Sequence, residues 1–230
     1  MRVVLFDIDG TILWTDGAGR RAVYRALEEV FGTEMPETHE FDGKTDPQIV
    51  RELMRRAGTE QRDIDGRIER ALARYVELLR VELDAADHAD KVFPGVKPLL
   101  DALEARDDVL LGLLTGNVMA GAVAKLTAVG IEPARFRVGA FGSDHADRPA
   151  LPAIARHRAA ELLGEDVAGA DVVVIGDTPA DMSCGRAIGA RAIGVATGRY
   201  SVEQLRDCGA AAVFADLSDT DAVVHAIMGA

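Results

Sequence analysis

The sequence predicts an α/β fold in which a parallel sheet, wound on both faces by helices, is interrupted by an all-helical insertion. Short runs of Val, Ile and Leu recur along the chain with helix-period stripes between them. Between about residues 15 and 90 that alternation stops and only helical stripes remain. The length, 230 residues, leaves room for one large domain that carries a smaller insertion.

In chain order, residues 3–6 form the first expected strand. Three stripes follow: Ala22, Val23, Ala26, Leu27 and Val30; Ile49, Val50, Leu53 and Met54; then Ile64, Ile68, Leu72, Tyr75 and Leu79. Each repeats at the three- and four-residue steps of one helix face. A block this long exceeds an ordinary crossover. The expected division is therefore a core of residues 1–14 and 92–230 with a helical domain of residues 15–91. The glycine-bearing connections at 15–19 and 91–95 are candidate hinges. Beyond them, Val96, Leu99, Leu100 and Leu103 mark a helix, and residues 109–114 a second strand. Val118, Ala122, Val123, Leu126 and Val129 mark the next helix, which Gly130 stops. Residues 137–141 read as a weaker strand, and Leu151, Ile154, Ala155, Ala159, Leu162 and Leu163 as another helix. Residues 172–175, 192–195 and 211–214 complete the sheet, the last at an edge. Continuous apolar strands of this kind suit a parallel sheet covered on both faces.

The formal net charge is −12 at pH 7. An acidic surface repels phosphate backbones, so nucleic acid is not an expected partner. An anionic substrate then requires local positive charge, from a metal or from a few placed basic residues. No window reaches the roughly 18 apolar residues of a membrane span, and the opening MRVVLFDIDG lacks a secretory pattern. Cys184 and Cys208 form neither a metal-ligand spacing nor a disulfide framework. The expectation is a cytoplasmic protein without a membrane partner; its oligomeric state stays open.

The chemistry concentrates at strand ends. In Phe6-Asp7-Ile8-Asp9-Gly10-Thr11, two aspartates lie just past a buried strand, at the carboxyl edge where ligands bind in such sheets. Two carboxylates about 4 Å apart repel by roughly 4 kcal/mol at an effective dielectric near 20, so such a pair calls for a cation or a shared proton. The competing reading is a turn in which Asp9 or Thr11 caps a helix. A second acidic pair follows another strand, in Gly176-Asp177-Thr178-Pro179-Ala180-Asp181. Capping by Asp177 or Thr178 ahead of Pro179 explains one carboxylate there, but not four converging on one sheet edge. Hard oxygen ligands without cysteines suit magnesium better than zinc. A third strand ends in Thr115-Gly116-Asn117. There a hydroxyl, a glycine and an amide at a helix start suit a phosphate; taken alone the tripeptide reads better as a plain helix cap, and its weight comes from its place at a third strand end. His88, His145 and His157 show no metal spacing.

With these segments the chain resembles the haloacid dehalogenase superfamily, and within it the phosphoglycolate-phosphatase-like branch. The resemblance rests on DIDGT at 7–11 and GDTPAD at 176–181 and extends over the whole chain. It implies a Rossmann-like core with a helical cap and a magnesium-dependent phosphatase acting on a small phosphorylated metabolite. It implies Asp7 as nucleophile and metal ligand, and Asp9 as general acid/base whose backbone carbonyl also binds the metal. Thr115, with the backbone of Gly116 and Asn117, would hold the phosphoryl group. Asp177 would be a metal ligand and Asp181 would support the metal directly or through water. One feature of the family is missing: no lysine follows Lys125. Arg148 is the expected substitute, since arginine stays charged and offers several donors; Arg156 and Arg158 compete. Arg20, Lys44, Thr45 and Asp46 are the candidate substrate residues of the cap. A phosphomutase keeps both leading aspartates and remains an alternative, whereas Asp9 argues against a phosphonatase. A phospho-accepting receiver module would need neither this length nor a helical insertion.

Overall fold

The computed structural model describes residues 1–34, 39–85, 88 and 91–229. At its centre is a six-stranded parallel sheet: β1 (Arg2–Phe6), β2 (Val109–Thr115), β3 (Val138–Phe141), β4 (Val172–Gly176), β5 (Arg191–Val195) and β6 (Ala212–Phe214). Their spatial order is β3-β2-β1-β4-β5-β6. In the two central strands, residues 3–6 and 172–176 are apolar and buried throughout. Such strands are stable only with both faces covered. On one face α4 (Val96–Glu104), α5 (Met119–Ala128) and α9 (Thr220–Met228) cover Val4, Phe6, Leu111, Leu113, Val173 and Ile175. On the other, α6 (Leu151–Leu163) covers Val3, Leu5, Leu110, Leu114, Val172 and Val174. The alternation of neighbouring residues between the two clusters is the period-2 rule of a strand.

The helices α1 (Ala18–Phe31), α2 (Asp46–Arg56) and α3 (Gln61–Asp84) stand apart from the sheet and share their own apolar cluster. Its centre includes Ala22, Leu27, Leu53, Ile64 and Leu79, and Val118 of the core reaches into it. The two connections run side by side: the Trp14 N–H donates to Lys91 O at 3.0 Å, and the Phe93 N–H to Ile12 O at 3.0 Å. The loop before α2 rests on the sheet edge. There the Asp46 N–H donates to Gly116 O at 2.8 Å, the Val118 N–H to Asp46 Oδ2 at 2.8 Å, and the Thr45 hydroxyl to Ala146 O at 2.5 Å.

Two stripe positions depart from expectation. Val123 is 42% exposed and Leu162 is 44% exposed. In α5 the buried side is set by Ala122 and Leu126, and Val123 lies one step, about 100°, off that line. In α6 the buried line is Leu151, Ala155 and Ala159; Leu162, three residues on, keeps to that side of the helix but sits in its last turn and is exposed there. The short helices α7 (Pro179–Cys184) and α8 (Val202–Asp207) close the sheet beside β4 and β5.

Candidate active site

The strand order reverses direction between β1 and β4, which makes that pair the switch point where a crevice opens at the carboxyl edge. Phe6 is in register with Ile175, so Asp7 and Asp177, each just past its strand, emerge together. Asp181 joins them from the first turn of α7. Carboxylate oxygens of Asp7, Asp177 and Asp181 lie within 4.8 Å of one another, all buried. Arg148, just ahead of α6, inserts beneath them: Nη2 is 3.3 Å from Asp7 Oδ2 and hydrogen-bonds Asp181 Oδ1. Arg156 and Arg158 are not at this edge. Arg158 instead grips Asp144 at 2.7 and 2.8 Å.

Capping and site building coincide here. Thr178 is the N-cap of α7 in a capping box with Asp181, whose Oδ2 accepts from the Thr178 hydroxyl at 2.7 Å and from its N–H at 3.0 Å. The other oxygen of Asp181 meets Arg148. Asp177 caps nothing; its Oδ1 accepts from the Thr11 hydroxyl at 3.0 Å. Two glycines admit it: a Cβ on Gly10 (φ +85°) would lie 2.2 Å from Asp177 Oδ2, and one on Gly198 would lie 1.9 Å away.

The electrostatics show an under-compensated cluster. Burial, reinforced by Asp181 and Asp7, raises the Asp177 carboxyl to about 9. Burial also raises Asp7 to about 6, opposed by Arg148 and helped by Asp181 and Asp9. One guanidinium does not neutralise three buried carboxylates. The donors are all carboxylate oxygens, which suits a hard divalent cation, and these residues fit one. Among the described residues no other three acidic, histidine or cysteine side chains gather this closely.

Asp9 lies apart from that cluster in a second network, which sequence reasoning missed. Lys125 of α5 donates to Asp9 Oδ1 at 2.8 Å, to Asp9 Oδ2 at 2.6 Å and to Asn117 Oδ1 at 2.7 Å. Asn117 Nδ2 in turn donates to Asp9 Oδ2 at 2.7 Å and to the Thr115 hydroxyl oxygen at 2.8 Å. The amide orientation follows from chemistry, because an ammonium only donates and a carboxylate only accepts. The Lys125 side chain is 5% exposed and that of Asp9 30%. Its one local signal is a lone charge inside the otherwise apolar helix MAGAVAKLTA.

Asp7, Asp9, Asp177, Thr115, Lys125 and Arg148 all open onto one cavity of about 530 Å³, roofed by the helical block. Gly116 and Asn117 line it as well. Of the four candidate substrate residues, Arg20, Lys44 and Asp46 line the cavity. Thr45 does not: it is fully buried, and its hydroxyl accepts from the Gln48 N–H at 3.2 Å as N-cap of α2 while donating to Ala146 O. Lys44 is paired with Glu52 at 2.5 Å. Burial raises the Asp46 carboxyl to about 6, with Lys125 pulling the other way. Among the described residues no helix is long and apolar enough to cross a membrane.

An acidic, oxygen-only cluster with an embedded arginine, at the switch point of a parallel sheet and under a helical roof, defines a hydrolase-type α/β site for an anionic substrate. The chain belongs to the haloacid dehalogenase-like hydrolases, whose family model matches residues 1–189. Among solved structures it is similar to a β-phosphoglucomutase from Clostridium difficile, at 17% identity and a TM-score of 0.73 over 100% of this chain and 98% of that one. It is similar to CbbY from Rhodobacter sphaeroides in complex with phosphate, at 21% identity and a TM-score of 0.71 over 95% and 96%. A predicted phosphoglycolate phosphatase from Haemophilus somnus aligns at 18% identity with a TM-score of 0.68 over 97% and 98%. At these identities the likeness is one of fold. No curated protein sequence matches the chain.

Proposed function

We propose that the protein is a magnesium-dependent phosphatase that hydrolyses a small phosphate monoester through an aspartyl-phosphate on Asp7. The observation that carries this reading is the buried grouping of Asp7, Asp177 and Asp181 around Arg148 at the end of the central strand. Magnesium, held by Asp7, Asp177 and Asp181 with the Asp9 carbonyl, would supply the positive charge that offsets repulsion between a carboxylate and a phosphate.

The residues divide the work. Thr115, with the backbone N–H groups of Gly116 and Asn117, receives the phosphoryl oxygens. Arg148 orients Asp7 and adds charge beside it. Asp7 attacks phosphorus in line; the P–O bond to the leaving group breaks, and Asp9 gives that oxygen its proton. Asp9 then takes a proton from a water, whose oxygen attacks phosphorus and breaks the acyl-phosphate, releasing inorganic phosphate and restoring Asp7. Lys125 and Asn117 hold Asp9 in place for both transfers. Residues 15–91 act as a cap: Thr45 and Asp46 dock it on the sheet edge, and Arg20 and Lys44 face the substrate.

The test joins chelation with trapping. Phosphate release from a chromogenic ester stops with a chelator and returns with magnesium. Intact-protein mass spectrometry after mixing with an activated ester finds a phosphoryl adduct on Asp9→Asn and none on Asp7→Asn. Full activity after exhaustive chelation, or an adduct on Asp7→Asn alone, overturns the assignment.

A further inference from the structure

The cations around the cavity are not equivalent. Arg148 is paired with Asp7 and Asp181, Lys125 with Asp9, Lys44 with Glu52, and Arg199 with Asp42 at 3.1 Å. Arg20 lines the same cavity and has no carboxylate partner among the described residues. Its contacts are neutral. Nη1 donates to His39 O at 2.7 Å and to the Tyr24 hydroxyl at 3.3 Å, and the guanidinium stacks on Phe41 at 4.1 Å from the ring centroid.

These contacts engage one corner of the guanidinium and one face. The edge formed by Nε and Nη2 has no protein partner among the described residues, and neither atom is buried out of reach. That edge is the one arginine uses to grip an oxyanion with two parallel bonds. Among the described residues, Arg106 holds Asp108 in this way through Nε and Nη2 at 2.9 Å each, and Arg135 holds Glu104 at 3.0 and 2.6 Å. On Arg20 the anchor and the aromatic stack fix the guanidinium plane before any ligand arrives, which lowers the ordering cost of binding. An ordinary solvated helix charge would have neither.

We propose that Arg20 receives a second oxyanion of the substrate, so that the substrate class is a small phosphate monoester bearing another carboxylate or phosphate. The inference rests on the phosphatase reading for the first phosphate. The cavity, at about 530 Å³, is of the size that encloses a small metabolite. Its other cations are already matched by acids, and the protein carries a net charge of −12. Among the described residues, the cavity cation left uncompensated for a second anion is therefore Arg20.

The test compares three short alkyl phosphates of equal length, ending in a methyl group, a carboxylate or a phosphate. In the wild type, kcat/KM for at least one anion-bearing ester exceeds that of the methyl ester tenfold or more, and the better arm tells carboxylate from phosphate. Arg20→Gln collapses that ratio towards one, mainly through KM. Arg20→Lys, which keeps charge without the fork, gives an intermediate ratio and serves if Arg20→Gln does not fold. Binding of alkylphosphonates with and without a terminal carboxylate or phosphonate, followed by thermal shift, separates the possible failures. If no ester releases phosphate but the doubly anionic phosphonate still binds wild type tenfold tighter than Arg20→Gln, the phosphatase reading falls and the Arg20 site stands. If esters are hydrolysed with the same ratio in wild type and both variants, or the wild-type ratio is near one on both arms, the Arg20 site falls and the phosphatase reading stands.

Discussion

Replacing Lys125 with methionine removes an ammonium while keeping most of the side-chain volume. Asp9 receives one hydrogen bond from Asn117 and two from Lys125, so the variant leaves its carboxylate held on one side only. Hydrogen bonds to charged groups contribute about 1.5–3 kcal/mol each, but Asp9 keeps access to water, so the net destabilisation expected is about 2 kcal/mol. For a protein of this size that corresponds to a fall in Tm of about 4–8 °C. The kinetic consequence is more specific. General acid–base assistance amounts to about 10²–10⁴-fold, and a carboxylate that is present but poorly held should forfeit roughly 10–100-fold of it. With an activated aryl phosphate the first step needs little proton donation, so the loss falls on breakdown of the phosphoenzyme. Phosphoenzyme accumulates, kcat drops and KM drops with it. Rapid-quench measurement of the burst, with intact mass of the quenched protein, reads all three. A kcat within twofold of wild type, or a fall in kcat without phosphoenzyme, would refute the positioning role.

Three further outcomes follow from the same geometry. Arg148→Ala loses at least about 10²-fold in turnover, the scale of removing one electrostatic stabiliser, while Arg158→Ala, whose partner is Asp144, stays within a few-fold; the reverse pattern in steady-state assays would reassign the arginine. Asp46 has a folded-state value of about 6 against 3.8 for the free group, so its ionisation disfavours the folded state, and its contribution is full below pH 4 and lost as pH rises through 6. At about 1.4 kcal/mol per unit the loss approaches about 3 kcal/mol, so the Tm of Asp46→Asn minus that of wild type should grow from pH 4 to pH 7, and a flat difference would contradict it. Gly198→Ala places a methyl group on Asp177 Oδ2, and the magnesium concentration for half-maximal activity should rise about 10–100-fold, as for residues that support metal ligands; an unchanged titration would mean that Asp177 does not need its present position.

The strands were legible because a buried strand writes its burial into the sequence as an unbroken apolar run. The carboxylates Asp7, Asp9 and Asp177 were legible for a related reason: each sits at or just beyond the end of such a run, and strand ends in a parallel sheet share one edge. The helical block was visible from a change of period between about residues 15 and 90. Arg148 was reached by resemblance and elimination, and its placement under Asp7 depends on a loop path that no local pattern encodes.

What the sequence by itself determined is the set of groups and the edge on which they meet, since periodicity and strand termination are local properties. Only the tertiary structure decided their pairing. Lys125 and Asp9 are separated by 116 residues, and nothing near either one tells a solvated helix charge from a buried ammonium. The same holds for Thr45, whose hydroxyl reaches Ala146 across the docked loop, and for Arg20, which meets Tyr24 on its own helix and His39 and Phe41 in the loop beyond it. Burial and electrostatic pairing are sums over the whole fold, and those sums separate Asp9, paired with Lys125 and Asn117, from the buried grouping of Asp7, Asp177 and Asp181.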